Sequence, residues 1–219
     1  MSDKPTEADY TCKAHAARLE KLIQALELKN VTLVVNDFGG SIGLNYALHY
    51  PDNIHKIVLF NTWMRSLKND KHYTGPAKIM NTWLGKFLYL NLNFPVNVIM
   101  PAAFGNKKKL TKEIHHHYKQ ALLPGERTAA YTFSKELLSA PDWWETLWNK
   151  MESIKNKKVL IFWGMKDKFV PAYELENWKS KLPEATVITF DDAGHFVQEE
   201  KPEEMIREIR KFLNPTRTL

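Results

Sequence analysis

The chain has 219 residues, 44% of them hydrophobic and 12% aromatic, and a formal net charge of +6. That composition excludes global disorder, and a lone cysteine, Cys12, excludes a disulfide framework and any cysteine-rich zinc site. Lys, Asn or Pro interrupts every apolar stretch, so no segment reads as a membrane span, and the stretch Met1-Ser2-Asp3-Lys4-Pro5 lacks a secretory signal. A cytoplasmic protein without a membrane partner is expected. The positive charge is spread, with short clusters at Lys107-Lys108-Lys109 and at Lys155, Lys157 and Lys158, and no nucleic-acid-binding motif accompanies it. The expectation is a solvated basic surface and no nucleic acid.

Residues 1–12 are polar and read as a loop. Leu19, Leu22, Ile23 and Leu26 fall at i, i+3, i+4, i+7 and predict an amphipathic helix over about 13–28. Val31 to Val35 is a continuous apolar run, as in a strand buried on both faces. A Gly39-Gly40 turn follows, then a buried helix through Ile42, Leu44 and Leu48 that stops before Pro51. Lys56–Phe60 is a second buried strand. Residues 63–150 hold no clear strand and read as a helical insertion with its own apolar face. Lys158–Trp163 is a third strand, followed by a helix near 171–182, and Ala185–Phe190 is a fourth. The last helix, 202–213, opens on Pro202 with Glu203 and Glu204 at its positive end. Alternating strands and helices with apolar strands predict an α/β fold with a parallel sheet covered on both faces.

Catalytic groups in open α/β sheets gather at the carboxyl ends of strands. Asn36-Asp37-Phe38-Gly39-Gly40 follows the first strand, Gly164-Met165-Lys166-Asp167 the third, and Asp191-Asp192-Ala193-Gly194-His195 the fourth. The order acid on a tight turn, second acid, histidine is the nucleophile–acid–histidine order of α/β-hydrolases. Small residues after a nucleophile let helix and strand approach closely. Any one of these pieces is commonplace; all three at strand ends and in that order are not.

VTLVVNDFGGSIGLNYALHYPDNIHKIVLFNTW (31–63) resembles the nucleophile-elbow region of the haloalkane dehalogenase-like and epoxide-hydrolase-like α/β-hydrolases. VLIFWGMKDKFVPAYELENW (159–178) is similar to their catalytic-acid segment, and DDAGHFVQEEKPEEM (191–205) to their histidine loop and last helix. The resemblance implies an α/β-hydrolase core at 1–62 and 151–219 and a helical cap at 63–150. It implies Asp37 as nucleophile, His195 as base and Asp167 as the acid that orients it; the alternative acid position holds Asn61. Val35 stands where the family's motif has Gly. The resemblance also begins where the family has already laid down its first strands. A truncated copy is therefore expected, with self-association through the edge of the 31–35 strand.

An aspartate nucleophile suits carbon–halogen bonds or epoxides. It attacks an sp3 carbon, forms an alkyl ester, and His195-activated water hydrolyses the ester. Hydrolytic dehalogenation of small apolar haloalkanes is the leading expectation. The alternatives are epoxide or ester/lactone hydrolysis, or an inactive truncated copy acting as a binding protein. Relatives commonly carry a halide-binding Trp after the nucleophile; this chain has Phe38, which leaves only its backbone N–H. Trp63, Trp143 and Trp144 are the candidate substrate-pocket residues in its place, and Trp83 and Trp148 lie in or near the same segment. Epoxide opening would draw on Tyr73, Tyr89, Tyr118 or Tyr131 as acids. His115-His116-His117 on a helix points three ways and cannot chelate one metal. No metal or organic cofactor is expected; the partners are substrate and water.

Overall fold

The computed structural model describes residues 3–5 and 7–214. Helix α1 (Cys12–Ala25) begins where the Thr11 side chain accepts from the Ala14 N–H. Strand β1 (Val31–Asn36) runs into α2 (Phe38–His49), which starts at once after Asp37, earlier than the glycine pair suggests. Strand β2 (Ile54–Phe60) starts two residues before the predicted Lys56.

After β2 come ten non-helical residues, 61–70, and then a long run of helices and turns with no strand among the described residues. It comprises α3 (Lys71–Met80), α4 (Trp83–Leu92), a π turn at Pro95–Ile99, α5 (Met100–Ala103), α6 (Lys112–Ala121), α7 (Arg127–Ser134) and α8 (Pro141–Asn149), with short 3-10 turns between. Then come β3 (Lys158–Gly164), α9 (Ala172–Lys181), β4 (Thr186–Phe190), a short α10 (Val197–Glu200) absent from the prediction, and α11 (Pro202–Leu213).

The four strands form one parallel sheet in the order β1-β2-β3-β4. The period of two sorts its residues. Ile57 and Leu59, with Val159, Ile161 and Trp163, join the core under α1, α2, α8 and α9. Val58 and Phe60, with Leu160 and Phe162, meet Val197 and Met205 of α10 and α11 on the other face. That second layer stops short of β1, where Val34 stays 51% exposed. Lys56 is buried at the start of β2, and its Nζ donates to the carbonyls of Phe212 and Leu213 at the end of α11. The last four carbonyls of a helix have no intrahelical partner, which makes this end a natural seat for such a cation. A third, smaller cluster of Val96, Met100 and Phe104 lies within the inserted segment and packs against Phe196 beside the sheet.

Candidate active site

Asp37 sits on the β1–α2 junction with φ 50 and ψ −132, a conformation that non-glycine residues avoid and that costs about 1–3 kcal/mol. Neighbouring bonds hold it there. Its N–H donates to the Asn61 carbonyl at 3.2 Å, and its carbonyl accepts from Thr62 Oγ1 at 2.6 Å and from the Gly40 N–H at 3.0 Å. The requirement for small residues falls on Gly40: a Cβ there would lie 1.8 Å from Thr62 Oγ1, whereas one on Gly39 meets nothing within 4 Å. Gly43 has a similar role, letting α2 settle against Val35. The elbow therefore depends on the end of the neighbouring strand β2 as much as on its own turn.

His195 and Asp167 meet Asp37 as the sequence predicts. His195 Nδ1 is 2.7 Å from Asp167 Oδ2, and His195 Nε2 is 3.8 Å from Asp37 Oδ1. The first is a hydrogen bond; the second is an electrostatic contact with room between the groups. Asp167 is buried and fully engaged. Its Oδ1 accepts from the Phe169 and Val170 N–H groups, and its Oδ2 also accepts from Asn61 Nδ2 at 2.8 Å. Burial by itself pushes the imidazole down, but the Asp167 carboxylate, through charge and hydrogen bond, together with Asp37, lifts it to about 9. Asp37 is pushed up by burial, against the pull of His195 and the Phe38 N–H, which donates to its carboxylate. Its side chain nevertheless keeps 41% of its surface open, because a cavity lies beside it.

That cavity, about 480 Å³, is lined by Asp37, Phe38, Trp63 and His195 below and by Tyr73, Met80, Tyr89, Val96, Met100 and Tyr118 of the inserted segment above. The expectation for Trp143 and Trp144 is corrected: neither lines it. Trp144 is buried against Trp63, with its Nε1 donating to the Ser139 carbonyl, and Trp143 packs on Trp144. Trp63 does line the cavity, but its Nε1 is sealed from solvent and has no partner among the described residues. Phe38 packs edge-on against Trp63 and presents no side-chain donor. Of the tyrosines, Tyr73 donates to Glu174 and Tyr118 to Glu199, so their protons are committed; Tyr131 lies outside the lining and donates to the Met80 carbonyl. His115 of the histidine run turns its Nε2 to the Val96 carbonyl.

Sequence reasoning missed three supporting residues. Asn61, weighed only as a non-acid, cross-links the acid loop through Asp167 Oδ2 and the Gly164 N–H. Thr62 holds the Asp37 carbonyl. Both sit directly after β2, and the same strand-end logic that found Asp37 would have found them. Glu200 is 1% exposed, and its carboxylate accepts from the N–H groups of Gly194, Gly105 and Asn106. It binds the His195 loop to the end of the α5 segment, where the His195 N–H also donates to the Ala103 carbonyl. Nothing in the spacing of Glu200 marks it, since two of its three partners lie far away in sequence.

A sequence profile described as the alpha/beta hydrolase fold matches residues 1–202. A cis-3-alkyl-4-alkyloxetan-2-one decarboxylase from Shewanella oneidensis is 32% identical over 231 positions, covering 100% of this chain and 72% of that protein. Haloalkane dehalogenase 2 of Mycobacterium tuberculosis is 24% identical, covering 95% of this chain and 73% of its own length. The crystal structure of a haloalkane dehalogenase from Agrobacterium tumefaciens C58 superposes with a TM-score of 0.82 at 23% identity, over 98% of this chain and 76% of that one. At that identity the likeness speaks for the fold.

Proposed function

This chain belongs to the alpha/beta hydrolase fold family, and from that premise we propose that it is a hydrolase whose nucleophile is Asp37, forming a covalent ester with an apolar substrate. One observation carries the reading. His195 stands between Asp167, at 2.7 Å from Nδ1, and Asp37, at 3.8 Å from Nε2, on the floor of a largely apolar cavity. On this reading residues 63–150 act as the cap that keeps bulk water from the ester.

At rest the imidazole is protonated and paired with the Asp37 carboxylate, because its pKa is raised to about 9. Attack forms a bond from Asp37 Oδ to carbon and expels the leaving group with the bond's electron pair. Esterified Asp37 has lost its negative charge, which removes one of the influences that raise His195. The imidazole then releases its proton more readily and becomes the base that activates water. Water attacks the ester carbonyl, the acyl C–O bond breaks, and the Asp37 carboxylate returns.

The leaving group is favoured by what the cavity lacks. A halide needs N–H donors, and the one lining indole, that of Trp63, keeps its Nε1 sealed away, while Phe38 offers only a backbone N–H. A strained cyclic ester depends on such donors less, because relief of ring strain drives the step: attack at its sp3 ring carbon opens the ring, and the departing oxygen remains as a tethered carboxylate. A dialkyl oxetanone, the substrate class named for the Shewanella relative, is therefore the leading substrate. The ring-opened ester then either hydrolyses or fragments, its carboxylate leaving as carbon dioxide while an alkene forms and Asp37 departs. Haloalkanes are the second reading, favoured by the likeness to haloalkane dehalogenase 2, with the Phe38 N–H alone facing the halide. Epoxides are a third reading: Tyr73 and Tyr118 already donate to carboxylates, which leaves Tyr89 as the lining tyrosine to protonate the epoxide oxygen.

The deciding experiment offers an oxetanone, a haloalkane and an epoxide to the wild type and to Asp37→Asn and His195→Gln. The expected result is alkene or hydroxy acid from the oxetanone with the wild type and neither with Asp37→Asn; where the product is the hydroxy acid, a mass adduct on the Asp37 peptide accumulates in His195→Gln. Equal inactivity of wild type and Asp37→Asn on all three, with no adduct, would overturn the reading.

A further inference from the structure

The charge of this chain is not evenly placed once its helices are known. Residues 71–123 carry eight lysines and one acid, Glu113, a formal +7 against +6 for the whole chain. All eight lysines are exposed, and among the described residues none forms an ion pair. The same segment carries the most exposed large aromatic side chain named in the structure. Trp83, the first residue of α4, is 79% exposed, and Leu84 and Phe87 on the following turn are exposed with it. Ile79, 62% exposed, joins them across a tight corner. Thr82 Oγ1 donates to the Ile79 carbonyl, and a Cβ on Gly85 would lie 2.3 Å from that oxygen. Lys78 and Lys86 flank the apolar group in sequence. Leu92 at the far end of α4 is exposed as well.

We propose that this α3–α4 face docks on the surface of an anionic lipid bilayer, with Ile79, Trp83, Leu84 and Phe87 entering the headgroup region and Lys71, Lys78 and Lys86 meeting lipid phosphate. The absence of a spanning helix among the described residues leaves this open, because an interfacial helix lies in the membrane plane. Charge selects the occupant. The two helices carry Lys71, Lys78 and Lys86 and no acid, so a second copy would bring +3 against +3, whereas an anionic surface attracts all three lysines. Aromatic and leucine side chains interleaved with lysines, with no acid from Lys71 to Lys112, are the composition of an interfacial helix. Exposed apolar groups of this kind are unusual on a surface that meets only water. The opposite side of the same two helices lines the cavity through Pro76, Ala77, Met80 and Tyr89. An apolar substrate dissolved in the bilayer would then be separated from Asp37 by one layer of helices. That last step rests on the proposed function; the docking does not.

The test is cosedimentation of the full chain with phosphatidylcholine vesicles, with and without phosphatidylglycerol. Shielding of Trp83 from acrylamide is the second readout. Binding to the anionic vesicles is expected to be about tenfold tighter or more, and to weaken as salt is added. Trp83→Ser with Phe87→Ser should lower it by about tenfold, and Lys78→Gln with Lys86→Gln should lower it on anionic vesicles alone. All four side chains are exposed, so the variants keep the fold. No sedimentation at low salt, or binding indifferent to the Trp83 and Phe87 changes, overturns the proposal. So does a dimer in sedimentation velocity that Trp83→Ser dissolves, which would assign the face to a second copy. Binding to polyglutamate without binding to vesicles would assign it to an acidic polypeptide. The readout is binding, so it stands or falls apart from turnover.

Discussion

The parallel sheet and the helical segment inserted between β2 and β3 are stabilised by different means. In the sheet, Ile57, Val58, Leu59, Ile161, Phe162 and Trp163 are entirely buried, and alternation alone assigns each to a face. In the inserted segment the helices are short, few side chains are fully buried, and several large apolar groups face outward. Aromatic contacts and polar ties hold this segment instead. Arg65 joins Asp70 and Glu174 at its start, Arg127 bonds the carbonyls of Leu90, Asn91 and Leu122, and Glu200 fastens the stretch at Gly105 and Asn106. The sheet sets where Asp37, Asp167 and His195 stand; the insertion supplies the upper wall of the cavity beside them.

Four experiments probe that division, from the largest expected effect to the smallest. Asp37→Asn should lower turnover by on the order of 10⁴-fold with an unchanged circular dichroism spectrum, since the change lies at a sheet-borne position and spares packing. His195→Gln should lower complete turnover by roughly 10²–10⁴-fold while leaving the first attack intact, seen as a stoichiometric burst and a trapped ester. Glu200→Gln tests the tie between the regions. An amide cannot accept all three N–H bonds, so a loss of about 1–3 kcal/mol in urea unfolding is expected, with kcat falling more than KM rises. Trp83→Ser, on the outer face of the insertion, should change stability by no more than about 0.5 kcal/mol.

The pH dependence adds a fifth. His195 is raised above its ordinary value, so its contribution to stability is complete below about pH 6.5 and disappears as pH rises through about 9. The thermal midpoint of the wild type should fall across that window relative to His195→Gln. The rate of ester hydrolysis should rise with pH and level off earlier than the stability change, because only the neutral imidazole is a base and the ester has removed the Asp37 charge that helps raise it. A flat rate profile would show that product forms without base-activated water, as in fragmentation to an alkene.

The same two regions differ in how much of them could be read from the chain. Ile57–Phe60 and Val159–Trp163 announce buried strands by composition, and Asp37, Asp167 and His195 stand out because each directly follows a strand. The start of α2 was less legible. Gly39 and Gly40 look like a turn, yet they form its first helical turn; the glycine at 40 answers to its close contact with Thr62 rather than to helix propensity. In the insertion, Trp63, Trp143 and Trp144 were equal candidates in one dimension. Only packing separates them: Trp63 reaches the cavity wall while Trp144 lies behind it. Glu200 was invisible for the same reason, as two of its three partners come from across the fold.

Three glycines meet where the acid loop, the histidine loop and the end of α5 stack. A Cβ on Gly164 would lie 2.0 Å from the Gly194 carbonyl, one on Gly194 2.1 Å from the Ala103 carbonyl, and one on Gly105 2.5 Å from the Ala193 carbon. The segments so joined are distant along the chain; the Gly105–Glu200 bond alone closes a span of 95 residues. Closing such loops loses entropy before any contact compensates it, and a sheet with only parallel neighbours offers no hairpin on which to begin. The order of events in refolding follows. Helices and the Asp37 elbow can form early, from nearby residues, whereas His195 reaches its place only when the three glycines close together. Recovery of activity after denaturant is removed should therefore lag behind recovery of helical signal, and a carefully timed assay would read the closing of that stack.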